Sequence, residues 1–350
     1  MASAGGRGRS SYAGPVPDPE IPDLEELLTA AHVVRLPMRV RFRGVTAREA
    51  VLLRGPAGWA EWAPFVEYAD PDAARWLAAA VEAGWARLPP PVRDEVGVNA
   101  TVPALPAAEV EGLLARVDAR RTAKVKVAEA GQGLVDDVER VTEVRRLLGP
   151  QARIRVDANG GWSVEEATTA LARLAPLDLE YAEQPCATVE ELAELRRTLA
   201  RHAIDVPVAA DESIRRAEDP LRVARLDAAD LVVVKVAPLG GIARALDVIE
   251  RCGLPAVVSS ALDTSVGLSL GVRLAAALPT LQHDCGLGTA TLLDADVVAE
   301  PLAPKAGRLT LQRAEAARDL VDPAALAAYR PEPERETWWR DRLTRAHALL

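Results

Sequence analysis

Five short apolar runs in this chain end on or beside charged residues, where a charge is costly unless it is paired or liganded. They are TAKVKV with Lys124 and Lys126, RIRVDANGGW with Asp157, LEYAEQP with Glu183, VAADES with Asp211, and LVVVKVAPLGG with Lys235. From Lys126 onward, each charged residue lies 24 to 31 residues before the next. That is about one β/α unit, so these groups belong to successive strands of one parallel sheet. Three carboxylates converging on one point repel, and one of them would take up a proton unless a cation intervened. A ligand set made only of oxygen indicates Mg²⁺, with Mn²⁺ as a substitute. Lys124 and Lys126 are two apart and share a strand face. Their mutual repulsion and partial desolvation predict a lowered pKa for one of them, giving a neutral amine able to act as general base. The chemistry these parts suit is removal of a proton α to a carboxylate, because cations stabilise the resulting enediolate. Taken singly, an Asp after a strand caps a helix and a KxK is a solvated pair. Three acids on consecutive strands, with lysines on both sides, favour the site.

The elements that must position these groups follow from the period of the apolar residues. Strands are predicted at Val96–Asn99, Ala123–Val127, Arg153–Val156, Leu179–Ala182, Val208–Ala210, Leu231–Val236, Ala256–Ser259 and Leu281–His283. Helices are predicted at Ala107–Ala119, Leu134–Leu148, Val164–Leu174, Val189–His202 and Ile242–Arg251. Eight strands alternating with helices favour closure into a barrel, with Asp157, Glu183 and Asp211 at its C-terminal mouth. An open doubly wound sheet would bring a Gly-rich first turn, which the chain lacks. Ahead of the barrel, a helical pattern at Asp23–Ala30 is followed by strands at Val33–Leu36 and Ala50–Arg54, and then by a helix from Asp72 to Ala86, the order of an α+β module. The arginine-rich stretch Pro37–Glu49 reads as a connection. After Arg308 the alternation stops, and a tail carrying Trp338-Trp339 is expected to pack back on the N-terminal module. The expected division is a disordered leader at 1–20, an α+β capping domain at 21–92, the barrel at 93–307 and the returning segment at 308–350.

Composition limits the alternatives. A net charge of −9 argues against a nucleic-acid binder, and hydrophobic residues at 49 % allow a large core. Cys186, Cys252 and Cys285 form no CxxC pair, which fits a reducing compartment. No apolar run is long enough to span a bilayer and the Gly/Ser/Pro-rich N-terminus has no signal-peptide core, so the cytoplasm is the expected location.

KVKV, DANGGW, EQP, ADES and KVAPLGG, in this order, resemble the enolase superfamily in its muconate-lactonizing subgroup. The resemblance implies a (β/α)₇β barrel capped by an α+β domain built from both ends of the chain. Phe42–Tyr68, Asp72–Ala83 and Ser259–Pro279 resemble the o-succinylbenzoate synthase family of actinobacterial type. That implies a Mg²⁺-dependent syn dehydration of 2-succinyl-6-hydroxy-2,4-cyclohexadiene-1-carboxylate, a small-molecule carboxylate, in menaquinone biosynthesis. On this likeness Asp157, Glu183 and Asp211 would ligate the metal and Lys126 would take the α-proton, then protonate the departing hydroxyl. Lys235 would stabilise the intermediate, and Lys124 would assist Lys126. An N-acylamino acid racemase or dipeptide epimerase, using Lys126 and Lys235 on opposite faces, is the rival on the same scaffold. Asn159, Ser259 and Ser260 are candidates for substrate contact, though Asn and Ser also cap turns. Pro37–Glu49 and Trp59–Tyr68 are candidate lid segments, with packing between cap and barrel as the plainer role of Trp59, Trp62 and Phe65. His283 is expected to be a satisfied core histidine.

Overall fold

In the computed structural model, which describes residues 20–42, 44–215 and 219–350, alternation of apolar and polar side chains carries strand β1 (Ala31–Phe42) well past Leu36. The predicted leader lies, but for Glu20, outside the described residues. Strand β2 (Val45–Gly55) pairs antiparallel with β1, so Pro37–Glu49 is not a connection but the end of a hairpin. Its arginines disguise a period of two: Leu36 is buried and Met38 and Val40 are half-buried, while Arg35, Arg39 and Arg41 point to solvent. Strand β3 (Gly58–Trp62) completes a three-stranded sheet, which removes the first part of Trp59–Tyr68 from the candidate lid segments. The helix Asp70–Trp85 packs on this sheet so closely that a Cβ on Gly55 would lie 2.2 Å from the Gly84 carbonyl oxygen. Gly55→Ala is therefore expected to cost about 1–3 kcal/mol by forcing strand and helix apart. The shift of the urea midpoint checks it.

The barrel strands are β5 (Ala100–Val102), β6 (Thr122–Lys126), β7 (Arg153–Asp157), β8 (Leu179–Glu183), β9 (Val208–Ala210), β10 (Leu231–Val234) and β11 (Ala256–Val258). They form one parallel sheet in chain order. The segment Cys285–Gly286 closes it with single parallel bridges, to Val98 on one edge and Ser259 on the other. Two predicted strands move. Residues Glu95–Gly97 (β4) leave the barrel and pair antiparallel with Arg308–Thr310 (β12), so the first barrel strand begins at Ala100. The eighth position is taken by 285–286 rather than by Leu281–His283. The helix predicted over Ala107–Ala119 is a short turn (Ala107–Glu109) leading into Val110–Leu114. Where the alternation was expected to stop, helices Leu311–Asp319, Pro323–Ala328 and Pro333–His347 follow. The last brings Trp339 edge-on to Trp62 at 5.5 Å, with its indole N–H donating to Glu49 at 2.8 Å.

Tyr181, Ala209, Leu231, Val233 and Val257 form a separate apolar cluster contributed by β8 to β11. Another group of polar side chains gathers around the fully buried Arg155. Register slips by one residue between β7 and β8, leaving Glu180 unpaired in the ladder. Its carboxylate is bonded by Arg155 Nε at 2.5 Å and by His283 Nδ1 at 2.8 Å. His283 is thus satisfied, but half-buried and away from the proposed reacting groups rather than in the core. Burial raises the Glu180 pKa, yet His283 and Arg155 outweigh it and hold the group down at about 2. A depressed carboxylate stabilises the fold above its unfolded pKa, and that contribution is lost as pH falls from about 4.5 towards 2. Glu180→Gln should cost about 3 kcal/mol at neutral pH, with the gap to the unmodified chain narrowing across that window. Urea unfolding at several acidic pH values checks it, and a gap constant with pH would refute it.

Candidate active site

Backbone register brings Lys126, Asp157 and Glu183 to one level. Lys126 pairs with Asp157, and Asp157 with Glu183, across neighbouring strands, while Asp211 directly follows β9. Lys235 follows β10. All are buried: the three carboxylates are 1 % exposed and the three lysines 6–8 %. Lys124 Nζ bridges Asp157 at 2.9 Å and Glu183 at 2.8 Å, and Lys126 Nζ bonds Asp157 at 2.6 Å and also the Asn159 side chain. Lys235 pairs with Asp211, whose other oxygen takes Arg215 Nε at 3.1 Å. The six groups predicted to act together are therefore together, but interleaved. Among the described residues, no three Asp, Glu, His or Cys side chains gather as a metal-ligand cluster.

The electrostatics differ from the sequence expectation. Burial favours a neutral Lys124, but Asp157 and Glu183 override it and raise this lysine well above its usual range. The lowered amine is Lys235, through burial and then Arg215, against the pull of Asp211. Mutual repulsion within KVKV loses to the carboxylates because these lie in direct contact. Burial also raises Asp157 and Asp211, but their lysine neighbours hold both down. Glu183 is pushed up to about 7, by burial and then by Asp157 and, more weakly, Asp211.

Asn159 is exposed beside this cluster, donating to Glu212 at 3.2 Å. Ser259 and Ser260 line the same cavity, both bonding the Gly286 carbonyl. Four further residues escaped sequence reasoning. Thr101 and Thr289 line the cavity, with Thr289 at 2.8 Å from Ser260 Oγ. Gln184 of EQP accepts from the backbone N–H of Asp211 at 2.9 Å and thereby orients it. Arg215 links Asp211 to the Tyr68 hydroxyl of the capping domain at 2.9 Å. Only Gln184 stood inside a quoted motif, and nothing in its spacing revealed the bond. Asn159 and Gln184 adopt left-handed backbone conformations, φ +48° and +38°, of the kind that collects at functional sites. The aromatic stretch behaves as packing: Trp62 and Phe65 are buried, and Trp59 is half-buried against His32.

Residues 33–84 match the enolase N-terminal domain-like family, and residues 108–315 the enolase C-terminal domain-like family. The chain is 56 % identical over 333 residues to the o-succinylbenzoate synthase of Mycobacterium tuberculosis (strain ATCC 25618 / H37Rv), covering 95 % of this chain and 98 % of that one. This chain belongs to the enolase superfamily, in the o-succinylbenzoate synthase family. The corresponding protein of Mycolicibacterium smegmatis is 57 % identical over 94 % of this chain and 99 % of its own. Among solved structures, the muconate lactonizing enzyme of Pseudomonas putida superposes with a TM-score of 0.70 at 21 % identity, over 86 % of this chain and 98 % of its own. That of Pseudomonas fluorescens complexed with muconolactone gives 0.73 at 22 %, with the same coverage. These two likenesses concern the fold.

Proposed function

We infer that this chain is an o-succinylbenzoate synthase, a hydro-lyase that dehydrates 2-succinyl-6-hydroxy-2,4-cyclohexadiene-1-carboxylate to 2-succinylbenzoate in menaquinone biosynthesis. The observation that carries it is identity above one half to curated synthases over nearly the whole chain. The buried cluster of three lysines and three carboxylates at the barrel mouth supports the chemistry.

In our reading Lys126 removes the proton α to the ring carboxylate and then returns it to the departing hydroxyl on the same face. The negative charge that develops meets Lys235, a cation held beside Asp211. Lys124, fixed by Asp157 and Glu183, keeps positive charge beside Lys126 throughout. The cavity among these groups measures about 30 Å³, far below the roughly 300 Å³ or more of a typical small-molecule site. Admitting the substrate therefore requires the cavity to widen.

Asp157, Glu183 and Asp211 suit a hard divalent cation in donor type: all oxygen, buried, and close enough for Asp157 and Asp211 to raise Glu183. We propose that these three hold Mg²⁺, or Mn²⁺ in its place. The bound ion would supply positive charge to the substrate carboxylate. Asn159, Ser259 and Ser260 are proposed substrate contacts. Among the described residues, no helix is long and apolar enough to cross a membrane. Three free, buried cysteines support a cytoplasmic location.

The test is conversion of the cyclohexadiene carboxylate to the aromatic product by the purified chain with Mg²⁺, followed by chromatography. Racemisation of N-succinylamino acids without any dehydration would refute it in favour of the racemase.

A further inference from the structure

The wall of the site beyond β11 is an unusual piece of backbone. Ser259, Ser260, Ala261 and Leu262 line the cavity that holds Lys126 and Lys235. Leu262 is buried and has φ +65°, a left-handed conformation that a leucine adopts only where its surroundings impose it. The imposing groups come from the other domain. Arg48, on β2 and 3 % exposed, donates from Nε to the Leu262 carbonyl at 3.0 Å and from Nη2 to the Ala63 carbonyl. Its guanidinium lies 4.5 Å from the Phe65 ring centroid, which fixes its plane. Glu61, on β3 and 5 % exposed, accepts from Thr264 N at 3.0 Å and from the Thr264 hydroxyl. Thr264 in turn caps the helix Ser265–Ala277. Asp263, between them, accepts from Ala261 N at 3.2 Å. Room for the two acids depends on Gly267, where a Cβ would lie 2.8 Å from Asp263 Cβ and 2.9 Å from Glu61 Cδ.

We propose that Arg48 and Glu61 of the capping sheet are positioning residues for the reaction, holding the left-handed turn at Leu262 and with it the Ser259–Leu262 wall of the site. Arg48 grips the turn through its carbonyl, and Glu61 anchors the residue that starts the following helix. The wall is thus correctly shaped only when cap and barrel are docked. Burial and the neighbouring Asp263 push Glu61 up to about 8, so its part is that of a hydrogen-bond acceptor rather than an obligatory anion.

This inference rests on the synthase reading given above. The variants are Arg48→Met, Glu61→Leu and Glu61→Gln, read by kcat, KM, Mn²⁺ affinity and thermal unfolding. Arg48→Met and Glu61→Leu should lower kcat about ten- to hundredfold, since misplacement by an ångström costs that much. Glu61→Gln keeps an acceptor and should stay within about threefold of the unmodified chain. All three should bind Mn²⁺ as tightly as before, a result that a general loss of structure would not give. A folded, Mn²⁺-binding Arg48→Met with unchanged kcat overturns the proposal. If Arg48→Met does not fold, equal kcat in the two Glu61 variants overturns it. If the unmodified chain forms no o-succinylbenzoate, that failure belongs to the functional reading. The same comparison then uses solvent-deuterium exchange at the α-carbon of an N-succinylamino acid, with the same expected losses.

Discussion

Lys126→Ala should lose about 10²–10⁴-fold in the rate of dehydration, the range that a positioned general base contributes. Its side-chain nitrogen is held by Asp157 and Asn159, beside the cavity proposed to receive the α-proton. The substitution leaves Lys124 to compensate Asp157 and Glu183, so the fold should survive with an unfolding midpoint close to that of the unmodified chain. Affinity for Mg²⁺ should persist, because the proposed ligands remain. Single-turnover kinetics with the cyclohexadiene carboxylate, alongside titration with Mn²⁺, separates these effects. A folded variant with substantial residual dehydration would remove Lys126 from its role.

Removing divalent metal should abolish product formation, and Mg²⁺ or Mn²⁺ should restore it. The argument is electrostatic: abstraction places a second negative charge beside a substrate carboxylate in a site that already holds Asp157, Glu183 and Asp211. Asp211→Asn is the sharper version. It should weaken Mn²⁺ binding about 10-fold or more, as loss of a charged ligand does, and leave Lys235 buried without its counter-charge, while Arg215 keeps Glu212. Calorimetric titration with Mn²⁺ measures the first effect and urea unfolding the second. Chelated protein that keeps full activity would sink the metal assignment.

Much of this site was legible in the chain because strand-end charges one β/α unit apart need no tertiary information to be noticed. Asp157, Glu183, Asp211 and the three lysines are legible that way, and their ion pairs in the folded chain bring them together. What they do to one another was not legible. The sequence places the lowered lysine within KVKV, but direct contact with Asp157 and Glu183 raises Lys124, and burial instead lowers Lys235. Helices Leu134–Leu148 and Val164–Leu174 came out to the residue, being long and strongly periodic. The first barrel strand did not, since VGVNATV alternates without a break and period alone cannot divide it between β4 and β5. Closure by single bridges at Cys285–Gly286 leaves almost no pattern to read. Arg48 and Glu61 look like ordinary surface residues of a hairpin, and nothing in the sequence shows that they are buried where they meet Leu262 and Thr264.

The seating of Trp339 against Trp62 has a consequence for synthesis. The sheet Ala31–Trp62 emerges first from the ribosome, yet the helix Pro333–His347 that covers it comes only after the whole barrel. Until then Trp62 has the helix Asp70–Trp85, to which its indole donates at Ala73, but not its edge-on contact with Trp339. The barrel must therefore form beside an unfinished cap. This late-made helix acts as a fastener, so translation that stalls before it would release a chain with its chemistry encoded but its cap unlatched.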